Sequence, residues 1–259
     1  MSFDASMARN LIIGSSHALY MSEATGTFEA NWDAATSDTI RIATKSGHDT
    51  SILYALTAPP FVVFTSHPNG TATAALGPLI EKAAPFNTPD SKVIFSIGGN
   101  EHNAAFMYAN PVPFDFFDPK VPQMDSARQI IPLAEMNDIL RRRLSRSQVA
   151  TRLAAQKLPL AQRYYLAPPP PIPSSEHIAS QPEIFDFKKF KVENKFVRLK
   201  IYNLYLEIMS SFCRDNGIQF IEPVYKNCDT DGFLLEDFWS GCTHAKPEYY
   251  SGIVQQLGL

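Results

Sequence analysis

Apolar positions along the chain come in short runs that stop at small polar turns. Leu11-Ile12-Ile13 runs into Gly14-Ser15-Ser16, and Phe61-Val62-Val63-Phe64 into Thr65-Ser66-His67-Pro68-Asn69-Gly70. Val93-Ile94-Phe95-Ser96-Ile97 runs into Gly98-Gly99-Asn100. Runs of this kind predict strands, and the continuously apolar Phe61–Phe64 predicts one buried on both faces. Thr39 to Thr44 alternates and predicts another strand, followed by Ser46-Gly47-His48. Arg163 to Leu166 and Ile218 to Pro223 predict two more. Helical patterns stand between them: from Ser16 onward, Thr73 to Ala84, Ser126 to Gln156 with Asp125 as cap, and Tyr249 to Leu257. Phe196 to Arg214 is the clearest, with Val197, Ile201, Leu204, Tyr205, Ile208 and Phe212 on one stripe and Gly217 to end it.

Strands alternating with helices predict an α/β fold, a three-layer α/β/α sandwich around a mostly parallel sheet. In such sheets ligands bind outside the carboxyl ends of the strands, where the polar turns fall here. The length of 259 residues suits a single domain over 1–259. Residues 110–193 read as an insertion, a helix and a proline-rich loop near the pocket. Pro168 to Pro171 must be extended and forms a rigid wall inside the domain, since a strand still follows it.

Composition narrows the function. A net charge of -3 gives no reason to expect nucleic acid or an anionic membrane as partner. No apolar run reaches the roughly 20 residues that span a bilayer. Cys213, Cys228 and Cys242 form neither a disulfide framework nor a Cys-x-x-Cys site. Met1 to Asn10 lacks the basic and apolar regions of a signal peptide. A reducing, cytoplasmic setting is the expectation, with no cofactor and no metal.

The candidate chemistry sits at the turns. A strand that stops at Gly14-Ser15-Ser16 lifts a serine above the sheet edge, a common way to present a nucleophile. Such a hydroxyl is weak unless a base lies within hydrogen-bond reach, and His244 in Ser240-Gly241-Cys242-Thr243-His244 can serve. Asn100 supplies an amide at another turn. Gly14-Ser15-Ser16, Ser46-Gly47, Gly98-Gly99-Asn100-Glu101 and Thr243-His244 together resemble, in order and spacing, the four blocks of the SGNH hydrolases, or GDSL-type esterases. Ser16-His17 is also similar to the Gly-Asp-Ser-His form of carbohydrate-modifying relatives. The resemblance spans about Asn10 to Leu257 and implies a flavodoxin-like sandwich. It implies Ser16 as nucleophile and His244 as base, with an oxyanion hole from the Ser16 and Gly47 backbone amides and the Asn100 side chain. The substrate implied is a small ester, such as an O-acyl group on a carbohydrate, with water or another alcohol as acceptor.

The chain departs from that pattern in three places. Gly241 stands where the family has an acid to orient the histidine, Ser15 replaces the first-block Asp, and Glu101 follows the Asn. Glu236 and Asp237 are the nearby acids. A helical Asp237–His244 segment would put them about 10 Å apart along its axis, too far for a direct bond without a bend. His17, His48, His67 and His102 all fall at the predicted sheet edge. His17, His67 and His102 read as pocket residues, His177 as a loop residue. A metal finds no supporting carboxylate or cysteine spacing. Two function classes follow: a serine esterase or acyltransferase, or, given Gly241 and Ser15, a catalytically silent binding protein with the same fold.

Overall fold

The computed structural model describes residues 9–25, 41–44, 50–54, 62–67, 72–181 and 191–259. The central sheet contains β1 (Asn10–Gly14), β2 (Arg41–Thr44), β3 (Thr50–Tyr54), β6 (Lys92–Ser96), β9 (Gln162–Leu166) and β10 (Gln219–Ile221). Its spatial order is β10-β9-β6-β1-β3-β2. All neighbours are parallel except β2, which runs antiparallel to β3 at the edge. Between β3 and β6 lie a separate antiparallel hairpin, β4 (Val62–Ser66) with β5 (Ala72–Leu76), and the short helix α2 (Pro78–Glu81). A small pair, β7 (Phe114–Asp115) with β8 (Gln129–Ile130), precedes the long helix α4.

Alternation along β1 explains the layers. Leu11 and Ile13 point into a core shared with α4 (Leu133–Lys157) and α6 (Lys195–Asp215), which α3 (Glu101–Phe106) flanks. Ile12 points the other way, into a core shared with α1 (Ser16–Ala24) and α7 (Pro247–Leu257). Both faces are thus covered, as a parallel sheet requires. On α6, Val197, Ile201, Leu204, Tyr205 and Ile208 are buried as their spacing predicts. The helix ends at Gly217, whose φ of +63° is left-handed.

Several expectations are corrected. Phe61 lies outside the described residues, but Val62–Phe64 belong to the hairpin and not to the central sheet; Val63 is exposed, so that strand is not buried on both faces. Thr73–Ala84 is strand, a short helix and a 3₁₀ turn, not one helix. Its alanines are neutral in pattern, and hairpin pairing decides their state. The strand beside β1 is β3, which the sequence reading did not assign; β2 is only its antiparallel neighbour. The long helix starts at Leu133 and not at Ser126, because Pro132 disfavours helix in the residue before it. Asp125 instead accepts the Ala127 amide in a turn. Residues 110–193 do hold a helix and the proline loop, yet they also supply β9, a full member of the sheet.

The proline run is the expected wall. Pro168 to Pro171 are buried, Tyr202 donates its hydroxyl to the Pro168 carbonyl at 2.8 Å, and Arg198 donates to the carbonyls of Ile172 at 2.7 Å and Pro173 at 3.2 Å. Beyond it, α5 (Ser175–Ser180) carries His177 in a helix, capped by Ser174.

Candidate active site

β1 and β6 lie side by side at the point where the chain order reverses: β3 follows on one side of β1, β6 and β9 on the other. That switch point is where open α/β sheets place ligands. Gly14 is level with Ser96 there, and the two loops beyond are laced together. The Ser15 amide donates to the Ser96 carbonyl at 3.2 Å, and the Ser15 hydroxyl to the Gly98 carbonyl at 3.2 Å. Ser15, in place of the family's first-block acid, therefore ties the first loop to the second.

Ser16 opens α1 and is half-buried. The Ser15 carbonyl accepts the amides of Ala18 and Leu19, so the Ser16 amide is one of the unpaired donors that every helix start carries. The second loop is held from below. Gly98 and Gly99 have φ of +83° and +94°, which a Cβ would oppose. The Glu101 carboxylate accepts the Gly99 amide at 2.7 Å and the Ser147 hydroxyl. Burial raises the Glu101 pKa above its ordinary value. Asn100 follows the glycines, and its Oδ1 accepts from the Asn103 side chain at 3.2 Å, which leaves its own amide hydrogens to donate elsewhere.

His244 arrives from the far end of the chain. It lies on β12 (His244–Ala245), the second strand of a two-residue hairpin with β11 (Trp239–Ser240). Gly241 makes the turn, with φ of +55°. The position that would carry the family's acid is thus taken by a turn residue. His177 Nε2 donates to the Gly241 carbonyl at 3.0 Å and its ring packs on Trp239, so α5 holds the hairpin. The His244 ring lies against two rings of α1: His17, with centroids 4.9 Å apart, and Tyr20, at 5.1 Å. Its Nδ1 is 3.3 Å from Thr243 Oγ1. Among the described residues its Nε2 and the Ser16 hydroxyl have no hydrogen-bond partner.

Three histidines gather here, His17 and His102 fully buried and His244 half-buried. His17 and His102 are enclosed, and among the described residues their ring nitrogens have no partner in hydrogen-bond geometry. Burial pushes the His17 pKa down to about 4, against a weaker pull from the Asn100 side chain. It pushes His102 to about 3, with His17 adding repulsion. His244 is held well below its usual value, by burial first and then by His17. All three imidazoles are neutral at neutral pH, and His244 is available as a base. Unpaired buried polar groups cost about 1–3 kcal/mol each, an expense concentrated at one place.

The remaining sequence candidates are placed as follows. His67 is exposed at the end of β4 and shares a hydrogen bond with Thr73. Glu236 and Asp237 are exposed, and neither bonds to His244. Gly47 and His48 lie outside the described residues. Thr44 and Thr50, on either side, sit at the Asn10 end of the sheet and not at the Gly14 end. Tyr20 and His177, which the sequence did not mark as site residues, pack on His244 and on its hairpin. Tyr20 had one legible signal, its place one turn after Ser16 on a helix. His177 had none. Among the described residues no group of His, Cys, Asp and Glu side chains could hold a metal ion. None of the helices there is long and apolar enough to cross a membrane.

No protein-family model matches the sequence, and no curated protein matches it. Solved structures are similar over nearly the whole chain. One is the periplasmic domain of a lipopolysaccharide acetyltransferase from Salmonella ser. Paratyphi A, with 12% identity, TM-score 0.47, and 97% of this chain and 82% of that one covered. Another is an extracellular lipase from Streptomyces rimosus, with 11% identity, TM-score 0.42, and 96% and 99% covered. A third is phospholipase A1 from Streptomyces albidoflavus, with 12% identity, TM-score 0.40, and again 96% and 99% covered. At such scores and identities the function must be carried by this chain's own side chains.

Proposed function

We propose that this chain is a divergent SGNH-type acyl-ester hydrolase or acyltransferase. One observation supports the reading: His244, from the far end of the chain, packs its ring on His17, the residue after Ser16 at the head of α1, and the Asn100 side chain acts on His17 as well. Ser16 Oγ attacks the ester carbonyl carbon as its proton passes to His244 Nε2. The C–O bond to the leaving alcohol then breaks, and that alcohol takes the proton back. Water or a second alcohol repeats the sequence on the acyl-enzyme. The Ser16 amide and the Asn100 side chain donate to the oxyanion. For Nε2 to act as base, Nδ1 must carry the hydrogen and donate to Thr243 Oγ1. The resemblance in Ser16-His17 favours an O-acyl group on a carbohydrate as substrate.

A silent binding protein is the second reading, favoured by the absence of a Ser16–His244 hydrogen bond and by Gly241 in the acid's place. Labelling with a fluorophosphonate, mapped to peptides, separates the two. Modification of Ser16 that disappears in Ser16→Ala and His244→Ala supports the hydrolase. A folded, unlabelled protein overturns it and leaves the binding role.

A further inference from the structure

We infer that the ring of Tyr20 performs the task of the missing acid, as a positioning residue that orients the His244 imidazole and stabilises the positive charge it gains, with His17 packed on the same imidazole. The inference rests on the Ser16–His244 chemistry proposed above. Taking the Ser16 proton makes His244 an imidazolium whose Nε2 is shielded from solvent. Among the described residues no carboxylate bonds to its ring, and the Thr243 hydroxyl at 3.3 Å is a neutral, long partner. Two rings are at hand instead, of which Tyr20 is the aromatic one suited to a cation. Their centroids lie 4.9 and 5.1 Å from that of His244, and the planes tilt by 49° and 32°. A cation within about 6 Å of a ring centroid is attracted by the ring's quadrupole, and more strongly when water is excluded.

The arrangement is built. His17 and Tyr20 lie three residues apart on α1, so they share a helix face. The Ser240 hydroxyl donates to the Tyr20 hydroxyl at 2.9 Å, and Ser240 pairs directly with His244 across the β11–β12 hairpin. The hairpin that delivers the base therefore also fixes the ring it rests on. His17 stays uncharged because burial keeps its pKa near 4, so it presents a ring and not a repelling cation.

The titratable groups around His244 fit this picture. His17 and Tyr20 face it from α1, and His102 on α3 couples to His17. Tyr250 on α7 couples to Tyr20, and burial keeps Tyr250 protonated. On the hairpin side, Glu236 and Asp237 are exposed, and the Lys246 ammonium donates to the Asp237 carbonyl. None supplies a negative charge in contact with the imidazole.

The test is the rate of fluorophosphonate labelling at Ser16, followed against pH, in wild type, Tyr20→Leu and Tyr20→Phe. Leucine keeps the site apolar but removes the π face, and phenylalanine keeps it. Tyr20→Leu is expected to label about 3- to 30-fold more slowly and to move the acid limb of the profile to lower pH, because its imidazolium is less stable. Tyr20→Phe is expected to recover most of that loss. Tyr20→Met gives a second apolar variant without a π face, should Tyr20→Leu fail to fold. A leucine or methionine variant that labels like wild type, or a phenylalanine variant as slow as leucine, overturns the role of the ring while the serine reading stands. An unlabelled wild type overturns the serine reading and the inference with it.

Discussion

Gly14 and Ser96 face each other across β1 and β6 so closely that a Cβ on Gly14 would lie 2.5 Å from the Ser96 carbonyl oxygen. The Ser96 carbonyl also accepts the Ser15 amide, so the contact sets the height of the serine loop above the sheet. Gly14→Ala is expected to lower stability by about 1–3 kcal/mol, the usual cost of overpacking. It should also reduce Ser16 labelling, because the loop must move. Urea denaturation and labelling rates on the same preparation check both.

Asn100 is held by Asn103 and not by the cap of α3, so truncating it should leave the fold intact. Asn100→Ala is expected to slow acyl transfer about 10²- to 10³-fold through kcat, with little change in KM. Steady-state kinetics on any active ester substrate measures the split. A rise in KM with kcat unchanged would place Asn100 in ground-state binding.

The buried histidines make stability depend on pH. On unfolding, each imidazole returns to its ordinary value of 6.5, whereas the folded values are about 4 for His17, about 3 for His102 and well below ordinary for His244. Between those limits the unfolded chain binds more protons. Their contribution is therefore complete above pH 6.5 and is lost as pH falls below it. The expected slope is up to about 1.4 kcal/mol per pH unit for each histidine. Glu101, raised by burial, acts in the opposite sense but is one group against three. Urea midpoints at about pH 7 and pH 5 should differ markedly, and a His102→Phe variant should flatten the dependence.

Behind α6, the fully buried Lys200 ammonium bonds to Asp115 Oδ1 at 2.8 Å and to the Gln123 carbonyl. Asp115→Ala leaves that charge without its counterion and is expected to cost about 3–5 kcal/mol. Lys200→Met should cost less, since Asp115 keeps the amides of Phe116 and Asp125. Denaturation of the two variants side by side gives the order.

The sequence showed those parts whose pattern is local. β1, β6, β9, α6 and α7 follow from apolar runs and helical stripes, and Ser16 and Asn100 stand where strand-to-turn punctuation puts them. What it did not show depends on partners elsewhere in the chain. Phe61–Phe64 and Thr50–Tyr54 are similar short runs, yet only the second joins the central sheet. Periodicity does not say which neighbour a strand will find. His67 was grouped with the site through that ambiguity. The support of His244 was illegible for a related reason: the expected acid position became a turn glycine, and the rings that meet the imidazole come from a helix at the other end of the chain.

That last packing has a consequence for synthesis. α1 rests on α7, and His244 comes to the α1 rings of His17 and Tyr20 through the hairpin just ahead of α7. A ribosome exposes Ser16 early and His244 late. On the proposed mechanism Ser16 stays an ordinary hydroxyl until the last helix docks, so a chain released before α7 is made should be inert toward esters.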